Sequence, residues 1–244
     1  MRLFGLIGYP LSHSFSKKYF TEKFEKEGLT DCSYQLFPIT SVDEIKEIIN
    51  ENPGLVGLNV TVPYKQLVLK HLDSIENIPT EVMACNCIKI KDGKLSGYNT
   101  DIAGFNKSFF SLLKSHHKKA LILGNGGAAA AVKYVLRKSG IDFEIVSRKI
   151  HDASSLTYKD LNEKKIRDNL IIINTTPLGM SPNENQAPDI PYEYLTPQHF
   201  LFDLIYNPGK TLFLKKGEKK GAQIKNGYEM LVIQAEESWR IWNV

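Results

Sequence analysis

The fold is decided by one stretch of sequence, Lys119-Ala120-Leu121-Ile122-Leu123-Gly124-Asn125-Gly126-Gly127-Ala128-Ala129. It predicts an apolar strand, a turn of the pattern Gly-x-Gly-x-x-Ala and the start of a helix. Gly124 permits the tight turn, Gly126 lets the backbone approach a pyrophosphate, and Ala129 allows the helix to pack closely on the strand. Because a helix N-terminus also attracts phosphate, the stretch predicts a dinucleotide site at its glycine turn.

The end of the following strand indicates which dinucleotide binds. In NAD-binding units an Asp or Glu about 20 residues after the first glycine holds the ribose 2′-hydroxyl. Here Ser147-Arg148-Lys149 follows the apolar strand 143–146, and Arg148 lies 24 residues after Gly124. A guanidinium and an ammonium at this place favour the 2′-phosphate of NADP. The sequence therefore predicts NADP(H) as the cofactor, held in part by Ser147, Arg148 and Lys149.

Around this unit, apolar runs alternate with helical patterns along the whole chain. Alternation of strands and helices with short links is typical of an α/β fold whose parallel sheets are covered on both faces. Asp92-Gly93 between two such runs predicts a type I′ hairpin, and Ser41–Glu44 predicts a capping box that opens a helix. The predicted strands are 3–7, 34–37, 55–62, 88–91, 94–98, 120–123, 143–146, 170–173 and 200–205, and the other predicted helices are 16–27, 64–71, 102–113, 128–138, 210–219 and 228–242.

The composition is that of an ordinary globular protein and excludes several classes. The 244 residues carry a net charge of +4, and 42% of them are apolar, which suffices for a packed core. The basic residues are scattered, which argues against nucleic-acid binding, and the three cysteines and six histidines lack disulfide or metal-site spacing. No apolar run is long enough to span a membrane, and no signal peptide opens the chain. We therefore expect a cytoplasmic protein without a metal.

A second group of polar residues lies outside the dinucleotide unit. Asn59 and Thr61 alternate with apolar residues at a strand end and therefore share one face, and carboxyl ends of strands in α/β sheets open onto ligand crevices. Lys65 is expected in the first turn of the helix 64–71, where its charge opposes the helix dipole. The residues alone leave open whether Lys65 is a surface or a site residue, and Asp101 could simply cap the helix that follows it.

Eight short motifs, spread from the first strand to the last helix, occur in an order that is specific for one family. They are Gly8-Tyr9-Pro10 with His13-Ser14-Phe15-Ser16, Asn59-Val60-Thr61-Val62-Pro63-Tyr64-Lys65, Asn86, Asn99-Thr100-Asp101-Ile102-Ala103-Gly104, Gly124-Asn125-Gly126-Gly127-Ala128, Asn174-Thr175-Thr176-Pro177-Leu178-Gly179-Met180, Asp203-Leu204-Ile205-Tyr206 with Pro208, and Gly227-Tyr228-Glu229-Met230-Leu231 with Gln234-Ala235. Through them the chain resembles the shikimate dehydrogenases.

The resemblance implies a two-domain α/β architecture with a cleft between the domains. An N-terminal α/β substrate domain would comprise residues 1–101 plus 227–244, and a Rossmann-type NADP-binding domain would comprise 102–226. The implied reaction is the reversible reduction of 3-dehydroshikimate to shikimate by NADPH, in the shikimate pathway that leads to chorismate and the aromatic amino acids. The implied partner is this small molecule, with neither nucleic acid nor membrane, and the chain would be a monomer or a homodimer.

The resemblance also assigns roles to individual residues. Lys65 and Asp101 would form the catalytic pair, and the residues themselves leave open whether Lys65 is a proton shuttle or an electrostatic anchor. The substrate carboxylate would be held by Ser14, Ser16 and Tyr206, and the ring hydroxyls by Asn59, Thr61, Asn86 and Gln234. NADP would be held by Gly124, Asn125, Gly126, Gly127 and Ala128 and by Ser147, Arg148 and Lys149, with Leu204 and Gly227 near the nicotinamide.

The chain departs from the family pattern in a few places. Lys17 stands where a proline is usual, Cys85 and Cys87 flank Asn86 in place of Gly and Thr, and Ser147-Arg148-Lys149 replaces Asn-Arg-Thr. Two alternatives stay open beside the main interpretation. One is a quinate/shikimate dehydrogenase with relaxed specificity, and the other is a catalytically silent NADP-binding regulator on the same fold.

Overall fold

The computed structural model describes residues 1–11, 14–149 and 155–244. Its contacts divide the chain into two compact units, of which the first comprises Met1–Thr100 and Ala235–Val244 and the second comprises Asp101–Gln234. Each unit contains one six-stranded sheet. Both boundaries fall inside helices, so the chain passes between the units without a separate linker.

The elements of the first unit are β1 (Arg2–Gly8), α1 (Phe15–Lys26), β2 (Cys32–Pro38), α2 (Ile45–Glu51), β3 (Leu55–Val60), β4 (Ser74–Asn77), β5 (Cys87–Lys91) and β6 (Lys94–Tyr98), with 3₁₀ turns at Val42–Glu44 and Leu67–His71. Its strands form a mixed sheet in the order β2-β1-β3-β5-β6-β4. β2, β1 and β3 run parallel, whereas β3–β5 and β5–β6 are antiparallel. The antiparallel pair β5–β6 follows from the predicted hairpin, because the short Asp92-Gly93 turn makes these two strands run in opposite directions.

Two local predictions in this unit are confirmed. Asp92 and Gly93 have φ of 51° and 73°, as a type I′ hairpin turn requires. Ser41 and Glu44 form the predicted capping box, in which the Glu44 carboxylate accepts from the Ser41 amide at 2.7 Å. The loop between α1 and β2 carries no such signal and is closed by backbone bonds from Leu29 to Phe24 and from Cys32 to Leu29.

The elements of the second unit are α3 (Thr100–Phe110), β7 (Lys119–Leu123), α4 (Gly127–Lys138), β8 (Asp142–Ser147), β9 (Ser155–Thr157), α5 (Glu163–Asp168), β10 (Ile171–Asn174), β11 (Phe200–Asp203), α6 (Leu212–Lys219), β12 (Gln223–Lys225) and α7 (Tyr228–Trp242). The six strands form a parallel sheet in the order β12-β11-β10-β7-β8-β9. They are apolar on both faces, because alternate residues enter two separate cores. Ile122 and Phe202 lie in one core, and Leu121 and Leu201 lie in the other. The predicted coverage of both faces is thus confirmed.

The last helix, α7, contributes to both units. Met230 packs in the core of the second unit, against residues such as Phe105. Trp242 packs in the core of the first, where its indole N–H donates to the carbonyl of Ile88 at 2.9 Å. For this reason residues 227–234 cluster with the second unit, whereas the sequence assigned all of 227–244 to the substrate domain.

Two expectations about helix starts are wrong. α3 begins at Thr100, so Asp101 lies inside its first turn and is not its N-cap. The predicted helix 64–71 is only a 3₁₀ turn over Leu67–His71, so Lys65 precedes it. Tyr64 is buried and donates its hydroxyl to the carbonyl of Ile39 at 2.7 Å, and its own carbonyl accepts from the Val68 amide at 2.9 Å.

Candidate functional site

The first unit gathers polar side chains where its strands end. Asn59 is the next-to-last residue of β3, and Thr61 follows that strand directly. Asn86 immediately precedes β5, in which Cys87 pairs with Asn59 across the antiparallel ladder. The structure therefore places these three predicted substrate residues on neighbouring strands of one sheet, and brings the Asn59 amide within 3.3 Å of the Asn86 carbonyl.

The Asn59 side chain is held by neighbours that the sequence did not single out. Its Oδ1 accepts from the Tyr34 hydroxyl at 2.8 Å, and its Nδ2 donates to Ser238 Oγ at 3.0 Å as well as to Asn86 O. Both amide hydrogens are thus engaged, which leaves Asn59 able to accept from a ligand hydroxyl but not to donate to one.

Asn86 in turn fixes the start of α3. Its Oδ1 accepts from the Thr100 amide at 2.6 Å, and its Nδ2 donates to Thr100 Oγ1 at 3.0 Å. Thr100 Oγ1 also lies 3.4 Å from Ser238 Oγ. We call Tyr34, Asn59, Asn86, Thr100 and Ser238 the neutral network, because each member is an uncharged hydrogen-bonding group. One member of the network, Thr100, is the residue immediately before Asp101, so the network fixes the backbone next to that residue.

The two serines predicted to hold a carboxylate lie at the N-terminus of α1. Ser14 is the N-cap, and its hydroxyl accepts from the Lys17 amide at 3.5 Å. Burial raises the pKa of the Tyr34 phenol, and Ser16 lies close enough to act in the opposite direction. Ser16 is therefore a neighbour of the neutral network. His13, expected to have a structural role, lies outside the described residues.

Lys65 lies in the turn between β3 and the 3₁₀ turn at Leu67–His71, and it is half-buried. Its carbonyl accepts from the Cys85 amide at 2.7 Å, so the backbone on both sides of the lysine is held. Lys65 belongs to the first unit, whereas Asp101 is the first residue of the second and is only 6% exposed. The neighbouring Cys85 and Cys87 are free thiols without exposure, and burial raises the pKa of Cys87.

The glycine turn of the second unit has the geometry that a pyrophosphate needs. Gly124 has φ +102°, and a Cβ there would lie 2.8 Å from Thr175 Oγ1, so only glycine fits. A Cβ at Gly126 or Gly127 would meet no atom of the described residues within 4 Å, and α4 begins at Gly127 with Gly126, which has no side chain, as its N-cap. The first amides of such a helix are a site for an anion. The residues present therefore fit the phosphates of a dinucleotide.

The strand end that should select the 2′-phosphate is also defined. Arg148 and Lys149 are exposed, while Ser147 is buried and donates its hydroxyl to the Lys149 carbonyl. Ser147 therefore shapes this turn from within, and the two cations face solvent. Burial raises the pKa of the nearby Tyr158, and the Arg148 charge acts in the opposite direction. This tyrosine is a neighbour of the predicted 2′-phosphate site that sequence reasoning missed.

The remaining predicted residues lie after β11 and in α7. The Gly227 amide donates to the Ile205 carbonyl at 3.0 Å, and a Cβ at 227 would stand 2.1 Å from the Leu204 carbonyl oxygen. The close approach of these two segments therefore requires glycine. Tyr206 is half-buried, which raises its pKa, and Gln234 is half-buried in α7 at the end of the second unit.

The second unit also contains a buried carboxylate to which the sequence motifs assigned no role. Asp203, the last residue of β11, has no exposed surface and accepts from Asn174, Ile205 and Thr211. A usable signal was present, because polar residues end two neighbouring strands, β10 and β11. In the described ranges 1–11, 14–149 and 155–244 no group of His, Cys, Asp and Glu could hold a metal ion. Nor does any helix within these ranges have the length and apolar character to cross a membrane.

Comparisons with known proteins agree with one another. Residues 6–88 match the family model of the shikimate dehydrogenase substrate binding domain. The NADP⁺-dependent shikimate dehydrogenase of Clostridium beijerinckii is 38% identical over 258 residues, covering 99% of this chain and 92% of the relative. The crystal structure of the Aquifex aeolicus shikimate dehydrogenase superposes with a TM-score of 0.87 at 32% identity, over 100% of this chain and 92% of that one. The Thermus thermophilus enzyme, solved with NADP(H) and shikimate, gives 0.86 at 28% identity, over 99% and 93%.

Proposed function

Because the chain belongs to the shikimate dehydrogenase family, we propose that it catalyses the NADP-dependent, reversible reduction of 3-dehydroshikimate to shikimate. It is an oxidoreductase of the shikimate pathway, which supplies aromatic biosynthesis. The observation that carries this conclusion is near full-length similarity combined with an open glycine cradle in this chain's own second unit. A non-enzymatic regulator would have no use for Lys65 and Asp101 together.

The proposed reduction requires a proton at the oxygen of the substrate ketone. Bound NADPH supplies the hydride to the substrate ketone, and the carbonyl oxygen then carries the negative charge. Lys65 donates a proton to that oxygen as the charge develops, or stabilises it as an ammonium ion. Asp101, in the first turn of α3, is assigned as the second member of this catalytic pair. In the reverse direction the same pair takes the hydroxyl proton from shikimate.

Substrate recognition is assigned to the polar strand ends and their neighbours. Ser14, Ser16 and Tyr206 hold the carboxylate, since hydroxyl groups at a helix N-terminus suit an anion. Thr61, Asn86 and Gln234 contact the ring hydroxyls. Asn59 has both amide hydrogens engaged, so it accepts from a substrate hydroxyl.

The cofactor residues fall into three groups by the part of NADP that each would hold. Gly124, Asn125, Gly126, Gly127 and Ala128 would hold the pyrophosphate, and the side chain of Asn125 is fixed by Lys133 Nζ at 2.9 Å. Arg148 and Lys149 would bind the 2′-phosphate on a turn shaped by Ser147. Leu204 and Gly227 would border the nicotinamide.

The catalytic assignment is tested by Lys65→Ala. The variant is expected to lower kcat about 1000-fold, the usual range for loss of a general acid or charge stabiliser, while KM for shikimate changes only a few-fold. Lys70→Ala is the matched control, because Lys70 lies on the same segment and only pairs with Asp43 at 3.0 Å on the surface. An unchanged kcat in the Lys65 variant, with the control also unchanged, would remove Lys65 from the mechanism.

The cofactor assignment is tested by Arg148→Ala. Loss of a charge-assisted contact to the 2′-phosphate is expected to raise KM for NADP⁺ about 10-fold and to leave KM for NAD⁺ nearly unchanged. Arg137→Ala is the control, since Arg137 is exposed at the end of α4 and lies over the ring of Phe143. An equal loss with both dinucleotides would mean that Arg148 is structural.

One assay matrix separates the main function from the quinate alternative. Initial rates with shikimate or quinate, each with NADP⁺ or NAD⁺, should be highest for shikimate with NADP⁺. A faster rate with quinate would favour the enzyme of relaxed specificity.

We also propose a reducing, cytoplasmic location, supported by three cysteines that form no disulfide. We further propose that the enzyme is a monomer or a homodimer, and light scattering of the purified enzyme distinguishes the two.

A further inference from the structure

The second unit buries one carboxylate against three donors. Asp203 Oδ1 accepts from Asn174 Nδ2 at 3.1 Å and from the Ile205 amide at 3.0 Å. Its Oδ2 accepts from Thr211 Oγ1 at 2.6 Å. The donors come from β10, from the loop after β11 and from the N-cap of α6. A single side chain therefore joins three separate segments.

The charge of Asp203 is costly where it stands. In the described part of the chain, the influences on Asp203 are its burial and these three hydrogen bonds, and no cation is among them. Burial raises its pKa to about 6. An asparagine would have nearly the same shape and could keep all three contacts, because the Thr211 hydroxyl can also accept. An unfavourable buried charge, at a position where a neutral isostere would fit, indicates that the carboxylate has a role beyond folding.

The contacts of Asp203 lead in two directions to the predicted cofactor residues. Asn174 Oδ1 accepts from the Thr176 amide at 3.0 Å and from its hydroxyl at 2.7 Å. A methyl carbon of that threonine stands 3.0 Å from where a Gly124 Cβ would be. On the other side, Ile205 both donates to Asp203 and accepts from the Gly227 amide. The carboxylate is therefore linked through Asn174 to a threonine that packs beside the glycine turn, and through Ile205 to Gly227.

We propose that Asp203 is a positioning residue for NADP(H), whose ionised carboxylate holds the glycine turn, the loop after β11 and the start of α6 in the arrangement that binds the dinucleotide. The inference rests on the proposed function, because it takes Gly124, Leu204 and Gly227 as cofactor residues. Hydrogen bonds to an ionised acceptor are roughly twice as strong as neutral ones. The negative charge is thus what makes the three segments a rigid unit.

The test is equilibrium binding of NADPH, followed by its fluorescence, to the wild-type protein and to Asp203→Asn. At pH 8 the variant is expected to bind about 10-fold more weakly, in line with weakened charge-assisted bonds. At pH 5 wild-type Asp203 is protonated and resembles asparagine, so the ratio of the two Kd values should approach one. Titration of the 2′-phosphate itself acts on both proteins and cancels in this ratio. Tyr192, the other titratable side chain that senses Asp203, stays neutral throughout because burial raises its pKa.

Asp142→Asn is the matched control, because Asp142 is exposed at the amino end of β8, opposite to the strand ends that carry the site. It should bind NADPH as the wild type does. An Asp203→Asn protein with wild-type affinity at pH 8, or a ratio that stays constant from pH 5 to 8, would overturn the proposal. A wild-type protein that fails to bind NADPH would instead overturn the proposed function.

A second pair of variants covers the case in which Asp203→Asn does not fold. Thr211→Ser keeps the hydroxyl that donates to Asp203, whereas Thr211→Val removes it. The serine variant is expected to retain wild-type NADPH affinity, and the valine variant to lose several-fold at pH 8 but not at pH 5. Equal affinities for the two variants at pH 8 would contradict the proposal.

Discussion

Both units join the ends of their strands through side-chain hydrogen bonds, but they use different kinds of hydrogen-bonding groups. In the first, the neutral network of Tyr34, Asn59, Asn86, Thr100 and Ser238 ties strand ends together with groups that both donate and accept. In the second, Asp203 does so with an acceptor alone, surrounded by three donors. A network of neutral groups keeps its bonds at any pH, whereas one centred on a carboxylate depends on its ionisation. We therefore expect the neutral network to be less sensitive to pH than the hydrogen bonds of Asp203.

The sharpest way to break the neutral network is Asn86→Ala. The Thr100 amide, which donates to Asn86 Oδ1 at 2.6 Å in a fully buried place, would lose its acceptor. We expect the free energy of unfolding to fall by about 3 to 4 kcal/mol, since an unsatisfied buried donor adds its desolvation cost to the lost bonds. Urea denaturation measures this loss.

Asn52→Ala is the control for that change. Asn52 caps the end of α2 and donates to the Ile48 carbonyl at 2.8 Å, outside the network. Its loss should cost only about 1 kcal/mol. Equal losses of stability in the two variants would mean that the neutral network contributes no more than a single hydrogen bond at a helix end.

The pH dependence of stability separates the two networks. Burial raises the pKa of Asp203 to about 6 from an ordinary value of 3.8, so between these values the folded state binds more protons than the unfolded state. The stability that this group contributes is therefore fully present below about pH 4 and is lost as the pH rises through 6, by about 3 kcal/mol. Relative to the wild type, Asp203→Asn should gain this amount between pH 4 and 7 in urea titrations. A constant difference across that range would show that Asp203 does not titrate there.

The smallest effect is expected from Tyr34→Phe. It removes the hydroxyl that donates to Asn59 Oδ1 at 2.8 Å, which should cost about 1 kcal/mol of stability and raise KM for shikimate a few-fold, equally at pH 6 and 8. Tyr192→Phe, which loses a bond to the Pro188 carbonyl at 2.8 Å, serves as the control with unchanged KM. A pH-dependent effect of Tyr34→Phe would erase the contrast between the networks.

Much of the fold was accessible from local sequence signals. The strand before Gly124, the Asp92-Gly93 hairpin and the Ser41–Glu44 capping box are each set by residues adjacent in the chain, and the structure confirms them. The short edge strands β4, β9 and β12 escaped prediction. Each has three or four residues without an apolar run, so its pairing is decided by the neighbouring strand and not by its own sequence.

The candidate site was predictable only in part, for a related reason. Motif residues such as Asn59 and Lys65 stand out because their polarity interrupts apolar runs. Their partners do not, since Tyr34 lies 25 positions and Ser238 lies 179 positions from Asn59 in the chain. The folded sheet alone brings such residues together. The position of Lys65 relative to its helix was wrong, since the helix expected from residue 64 is only a 3₁₀ turn that begins at Leu67.

The shared helix α7 has a consequence for how the chain is made. Trp242 packs in the core of the first unit and bonds to Ile88, 154 positions earlier, so that core can close only after residues 235–244 have been synthesised. The second unit is continuous from Asp101 to Gln234 and does not wait for them. The unit whose strands are synthesised earlier is therefore completed later.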